Sequence, residues 1–183
     1  PDDKRTLFKA ASWAADIFHQ HLLSSPNAAR ARDYLQSRGI TEESVRKFKI
    51  GFAPNDWEFL LKESSRTEFS VQVLHAVALL GFSQPRKKYY DFFRGRIMFP
   101  IHDTRDRTVA FGGRILPELA DDKNAKYVNS PETKIFSKSD NLYGIDVAID
   151  AIRKGGKVLV MEGYTDVIMA NQYGVSNVVA VLG

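Results

Sequence analysis

The sequence predicts an α/β fold: an α+β amino-terminal part of helices and a small antiparallel sheet, followed by a strand–helix–strand unit with parallel strands. Three observations predict it. Residues 158–161 form a short apolar run without alternation, which reads as a strand buried on both faces. Gly163 then permits a turn, residues 165–173 read as a helix with Val167, Ile168 and Ala170 inward, and residues 177–182 form a second apolar run. Strand, helix and strand in so short a span make a βαβ unit. Upstream, residues 97–102 and 108–116 are β-like runs joined by the polar turn 103–107, an antiparallel hairpin. Before residue 80, apolar residues recur mostly at helical spacing.

Taken in order, residues 4–24 carry Leu7, Phe8, Ala11, Ala14, Ala15, Phe18 and Leu22 on one helical stripe, with Asp2 or Asp3 as cap. His19 and His21 stand two apart on this helix and do not face one another, which argues against a metal pair. Residues 24–27 break the helix. A second runs over 27–37 with Ala31, Tyr34 and Leu35 inward and Gly39 ending it; a third opens at Thr41 as N-cap. A brief strand over 48–52, a turn at 54–56, a helix over 57–62 and a helix over 71–80 stopped by Gly81 complete the leading segment. Residues 84–88 form a basic turn. The aromatics that follow, Tyr89, Tyr90, Phe92 and Phe93, suit core packing better than base stacking. Gly112 and Gly113, inside the second hairpin strand, predict a bulge or the close approach of another backbone or a ligand. After a polar loop at 117–124, residues 126–133 hold one short strand and a turn. A helix develops within 141–154, with Leu142, Ile145, Ala148, Ile149 and Ile152 inward, and ends at Gly155 and Gly156.

Composition excludes several classes. No apolar run approaches the ~20 residues of a helical membrane span. The absence of Cys removes disulfides and zinc–thiolate sites and favours a cytoplasmic setting. No apolar signal region follows residues 1–5, and Pro1 in place of Met leads to the expectation of a chain cut from something longer. The net charge is +4, and residues 84–138 hold 12 Lys or Arg against 7 Asp or Glu, so the excess is concentrated there. Such a segment fits either a phosphate-rich partner or a solvated basic face.

Two carboxylates, Glu162 at the end of a strand and Asp166 in the first turn of the next helix, sit where open α/β sheets bind ligands. They form half of a site for a hard divalent cation; the plainer reading is a surface Glu and a helix-capping Asp. Arg94 and Arg96 flank a glycine, and in an extended segment both guanidiniums would face one groove. Arg114 follows the glycine pair. Lys126, Lys134 and Lys138 lie in a loop region with Tyr127 and Phe136. Lys and Arg bind phosphates and aromatics stack on bases, although any one of them can be ordinary surface.

The run of residues 162–166, Glu-Gly-Tyr-Thr-Asp after an apolar strand, resembles the first motif of the Toprim domain of topoisomerases and primases. Residues 94–101, 109–114 and 126–133, with Phe136, Lys138 and 142–144, together resemble the catalytic core of the bacterial DnaG-type DNA primases in order and spacing. The resemblance covers nearly the whole chain. It implies a DNA-dependent RNA polymerase of replication, making short RNA primers from ribonucleoside triphosphates on single-stranded DNA, with Mg²⁺ or Mn²⁺. It implies residues 1–140 as the basic, nucleic-acid-facing subdomain and 141–183 as the first part of a Toprim domain. Glu162 and Asp166 would be catalytic and metal-binding; Arg94, Arg96 and Arg114 would bind nucleic acid; Lys126, Tyr127 and Lys138 would bind nucleotide. In that family an Asp-x-Asp strand beyond Gly183 supplies further acids, a separate module binds zinc, and a separate region meets the replicative helicase. The 183 residues alone are therefore expected to be inactive. Alternatives are a non-catalytic single-strand-binding module and another Toprim enzyme, a nuclease or topoisomerase.

Overall fold

The computed structural model describes residues 3–183; a cap from Asp2 lies outside them. Helix α1 (Lys4–Ser24) starts at Asp3, whose carboxylate accepts from the Arg5 backbone N–H at 3.2 Å. It buries Leu7, Ala10, Ala11, Ala14, Ala15, Phe18 and Leu22. The alanines let a strand lie close: a Cβ on Gly51 of β1 (Gly51–Ala53) would fall 2.6 Å from the Phe18 backbone. His19 Nδ1 lies 2.7 Å from the Ile50 carbonyl oxygen, while His21 packs between the Phe52 and Phe59 rings, so the two histidines serve separate contacts.

Helix α2 (Ala29–Ser37) follows a 3₁₀ turn and ends before Gly39 at φ +77°. Helix α3 (Glu42–Lys47) is capped by Thr41, whose hydroxyl accepts from Ser44 N–H at 3.2 Å, as predicted. Helix α4 (Phe59–Ser64) begins later than the expected position 57. Its start is set from a distance: Asp91 Oδ2 accepts from Leu60 N–H at 2.6 Å and Oδ1 from Leu61 N–H at 3.1 Å. Helix α5 (Val71–Ala76) is shorter than the expected 71–80. Ala78 takes a left-handed φ of +59°, and the chain turns into β2 (Leu80–Ser83), antiparallel to β3 (Lys88–Asp91). Gly81 is thus no helix stop. It lies in β2 opposite Tyr90, whose ring occupies the place of a Cβ.

The main sheet has the order β1-β4-β5-β6, all antiparallel, with β4 (Arg96–His102), β5 (Thr108–Ile115) and β6 (Tyr127–Asn129). The β4–β5 hairpin is as predicted, but its irregularity falls at Ile101/His102 and not at the glycine pair. Alternation along β4 divides the core: Met98 joins α1, Leu60, Leu74, Phe93 and Phe111, whereas Ile97, Phe99 and Ile101 join a second cluster reaching Tyr143, Tyr164, Val167 and Leu182.

The final unit comprises α6 (Ile145–Gly155), β7 (Leu159–Met161), α7 (Tyr164–Gln172) and β8 (Val178–Ala180), with β7 and β8 parallel as predicted. The expectation that residues 158–161 are buried on both faces is wrong: Val158, Leu159 and Val160 are 45%, 48% and 57% exposed. β8 is the strand that is enclosed, with β7 on one side and Tyr143 bridged to Ala180 on the other. Among the described residues β7 has β8 as its only strand neighbour, so apolar composition reported hydrophobicity and not enclosure. For the same reason α6 fully buries only Ala148 of its apolar stripe. Among the described residues no helix is long and apolar enough to cross a membrane.

Asp91 gives the fold a pH signature. Burial raises its carboxyl from 3.8 to about 7, against the two backbone N–H bonds that favour the ionised form. The folded state therefore binds a proton more tightly than the unfolded one. This contribution to stability is complete below pH 3.8 and is lost as pH rises to about 7. Urea unfolding across that window should show a steeper fall in stability with pH for wild type than for Asp91→Asn; equal slopes would refute the assignment.

Candidate functional site

Glu162 follows the end of β7 and Asp166 occupies the first turn of α7, as their spacing predicted. Both are exposed and edge one open depression with Met161, Met169, Ala170, Tyr173 and Val175. A Cβ on Gly163 would lie 3.0 Å from Asp166 Oδ2, so the glycine leaves room for that carboxylate. Two accessible carboxylates with space for waters fit a hard divalent cation.

Between them, Tyr164 is buried and anchors the acidic element to the main sheet. Its ring stacks on Phe99 (centroids 5.2 Å, 13°) and meets Tyr143 edge-on at 4.7 Å. Its hydroxyl donates to Asn129 Oδ1, and burial pushes that hydroxyl well above the usual range. The ring lies on Gly112, where a Cβ would be 2.4 Å from Cζ and Oη. Gly113 is covered by Phe93 and Arg96 at 3.0 Å. The glycine pair therefore admits side chains from within the protein, not a bulge or a ligand.

The arginines do not share one orientation. Gly95 is left-handed at φ +62°, so the segment is not extended and the alternation argument for Arg94 and Arg96 fails. Arg94 lies 3.7 Å over the Trp57 ring and donates to the Asp91 carbonyl at 2.5 Å. Arg96 is 6% exposed and turns inward, donating to the carbonyls of Ala125 (2.8 Å), Gly113 (3.2 Å) and Lys126 (3.3 Å). Arg114 donates to the Ile115 carbonyl beside the rings of Tyr34 and Tyr127, at 5.3 and 5.6 Å, and among the described residues its buried Nε has no partner. Burial, then repulsion from Arg94 and Arg114, pushes the Arg96 guanidinium down, so the three cations are electrostatic neighbours.

Lys126 and Tyr127 are exposed at the start of β6, where Tyr127 pairs with Arg114. Lys138 is also exposed; its backbone N–H donates to Glu132 at 2.9 Å, and no hydrogen bond or ion pair among the described residues joins its side chain to the arginines. The structure adds residues that sequence reasoning missed. Trp57 is the shelf for Arg94, and Tyr164 is the anchor. His102, Asp106 and Asp146 can place ligand atoms within 4.8 Å of one another. None of these follows from periodicity, because each depends on partners distant in the chain.

Residues 18–149 match the family model described as DNA primase catalytic core, N-terminal domain. The chain is 41% identical over 179 residues to a DNA primase of Deinococcus radiodurans, covering 98% of this chain and 30% of that protein. The RNA polymerase domain of Mycobacterium tuberculosis primase DnaG, solved with a double-stranded DNA oligomer bearing a 6-nucleotide overhang, superposes with a TM-score of 0.91 at 38% identity, covering 99% of this chain and 55% of that one. A DnaG primase catalytic domain bound to single-stranded DNA superposes at 0.85 and 38% identity, covering 98% and 54%. The chain thus spans under a third of that full-length relative and about half of those solved domains. With a matching sequence from end to end and a matching fold, it belongs to the family of DNA primase catalytic core N-terminal domains.

Proposed function

We propose that this chain forms the template-gripping surface and supplies the first acidic residues of a DNA-dependent RNA polymerase that makes RNA primers on single-stranded DNA. The observation that carries the reading is the Tyr164 anchor. It fixes the Glu162–Asp166 element to the sheet that bears Arg96, Arg114 and Tyr127. Relatives solved with single- and double-stranded DNA support a DNA template. In this reading Arg94 and Arg114 meet template phosphates, and Arg96 is a positioning residue that shapes the 125–126 turn. Lys126, Tyr127 and Lys138 receive the ribonucleoside triphosphate or the template strand. The primer 3′-hydroxyl attacks the α-phosphate, forming a phosphodiester bond as pyrophosphate leaves. Glu162 and Asp166 would hold Mg²⁺ or Mn²⁺ through carboxylate oxygens, with waters completing the shell. Such an ion supplies neutralisation of triphosphate charge and a more acidic attacking hydroxyl. We read residues 1–140 as the nucleic-acid-facing subdomain and 141–183 as the amino-terminal part of a Toprim domain; the shared core around Phe99 joins the two.

The test uses the full-length protein that carries this chain. Glu162→Gln should abolish primer synthesis and leave single-stranded DNA affinity within about twofold, because it changes the reaction centre and not the cationic surface. Lys126→Ala with Lys138→Ala should weaken DNA binding several-fold and lower the slope of log K against log salt by about 1 to 2. Primer synthesis that survives Glu162→Gln would sink the reading.

A further inference from the structure

Three other metal-ligating side chains converge where the β4–β5 hairpin meets α6. His102 closes β4 at its irregular register, Asp106 projects from the turn that follows, and Asp146 stands in the first turn of α6. His102 is 9% exposed, and its side chain is paired with Asp146. Its Nδ1 lies 3.5 Å from Asp146 Oδ2. Tyr143, three residues before Asp146, is 1% exposed, and its hydroxyl has no partner among the described residues.

We propose that His102, Asp106 and Asp146 bind a divalent transition-metal ion of the zinc or manganese class, which clamps the β4–β5 hairpin to α6. Imidazole favours such ions over Mg²⁺ or Ca²⁺, and two carboxylates supply the charge that the absent thiolates would otherwise provide. The 3.5 Å separation of His102 and Asp146 is close to the ~3.3 Å between neighbouring ligands at bond lengths of about 2.0–2.1 Å. The third atom, within 4.8 Å of the other two, comes from an exposed turn that can close on the ion. Fewer than four protein ligands leaves room for a water. The site uses different elements from Glu162 and Asp166, so it concerns how the two parts are held together and not the polymerisation centre.

Co²⁺ is the probe, because its visible d–d absorption reports ligation directly, and Zn²⁺ is the competitor. The chelator-stripped 183-residue chain, which contains no Cys, should give a Co²⁺ band that saturates at one equivalent and is displaced by Zn²⁺. Zn²⁺ at a hundredfold excess over Kd should raise the unfolding midpoint by about 5–10 °C. His102→Ala should abolish the band. Asp106→Asn should weaken it at least tenfold; this side chain is exposed and its left-handed backbone suits Asn, so folding is preserved. The band should persist in Glu162→Gln with Asp166→Asn. No band up to ~1 mM Co²⁺, or a band unaffected by Asp106→Asn, or one lost with the Glu162 and Asp166 changes, would overturn the proposal.

Discussion

Gly112→Ala should destabilise the protein by about 2–4 kcal/mol in urea unfolding, because it overpacks a filled site and breaks a partly buried hydrogen bond. In an open strand the same change would stabilise by roughly 0.5–1 kcal/mol, since glycine loses more chain entropy on folding. Contact decides the sign here. The new methyl would stand 2.4 Å from Tyr164 Cζ and Oη and 2.5 Å from Cε2. The ring cannot swing aside cheaply, because Phe99 stacks on it and Tyr143 meets it edge-on. Displacing it removes the bond to Asn129 and shifts the first turn of α7, which carries Asp166. A double-mutant cycle with Tyr164→Leu checks the mechanism: the smaller side chain should recover at least 1 kcal/mol of the Gly112→Ala loss by relieving the overlap. A Gly112→Ala loss below about 0.5 kcal/mol would show that Tyr164 is free to move and does not fix the acidic element.

Arg96→Ala should cost about 2–4 kcal/mol, since an inward-turned guanidinium with three charge-assisted bonds is lost and the Ala125 carbonyl loses its side-chain donor, although the Lys126 carbonyl keeps the Ile115 N–H. Arg96→Lys should recover less than half of this, because an ammonium cannot reproduce the planar fork that reaches Ala125, Gly113 and Lys126. Lys126→Ala, on an exposed residue, should lie within about 0.5 kcal/mol of wild type. Equal stability of all three variants would return Arg96 to the class of surface phosphate ligands. The contrast also governs interpretation of binding data. Weakened DNA affinity in Arg96→Ala reads first as a displaced 125–126 turn, whereas the same loss in Lys126→Ala reads as a missing phosphate contact.

Local patterns in the sequence carried much of the fold. The stripe of α1, the Thr41 cap, the β4–β5 hairpin and the parallel β7–β8 pair all follow from spacing between neighbours, and all are present. The misses share one physical origin. The start of α4, the end of α5, the exposure of β7 and the inward turn of Arg96 are set by residues far along the chain or by a single left-handed glycine. At the site, the positions of Glu162 and Asp166 were legible because a strand end and a helix start are local features. What holds them was not. Gly112 and Tyr164 are far apart in sequence, and only their packing shows that a glycine in one motif exists for a tyrosine in another.

The capping of α4 by Asp91 bears on how the molecule assembles in time. A six-residue helix is well below the ~12–15 residues at which isolated helices become even marginal in water. Two of its opening amides find their acceptor 30 and 31 residues downstream, at the end of a hairpin. α4 is therefore predicted to be a late element, completed only after Asp91 is in place at the end of β3. Helix and hairpin gain and lose structure as one cooperative unit, and the pH dependence carried by Asp91 belongs to that unit as a whole.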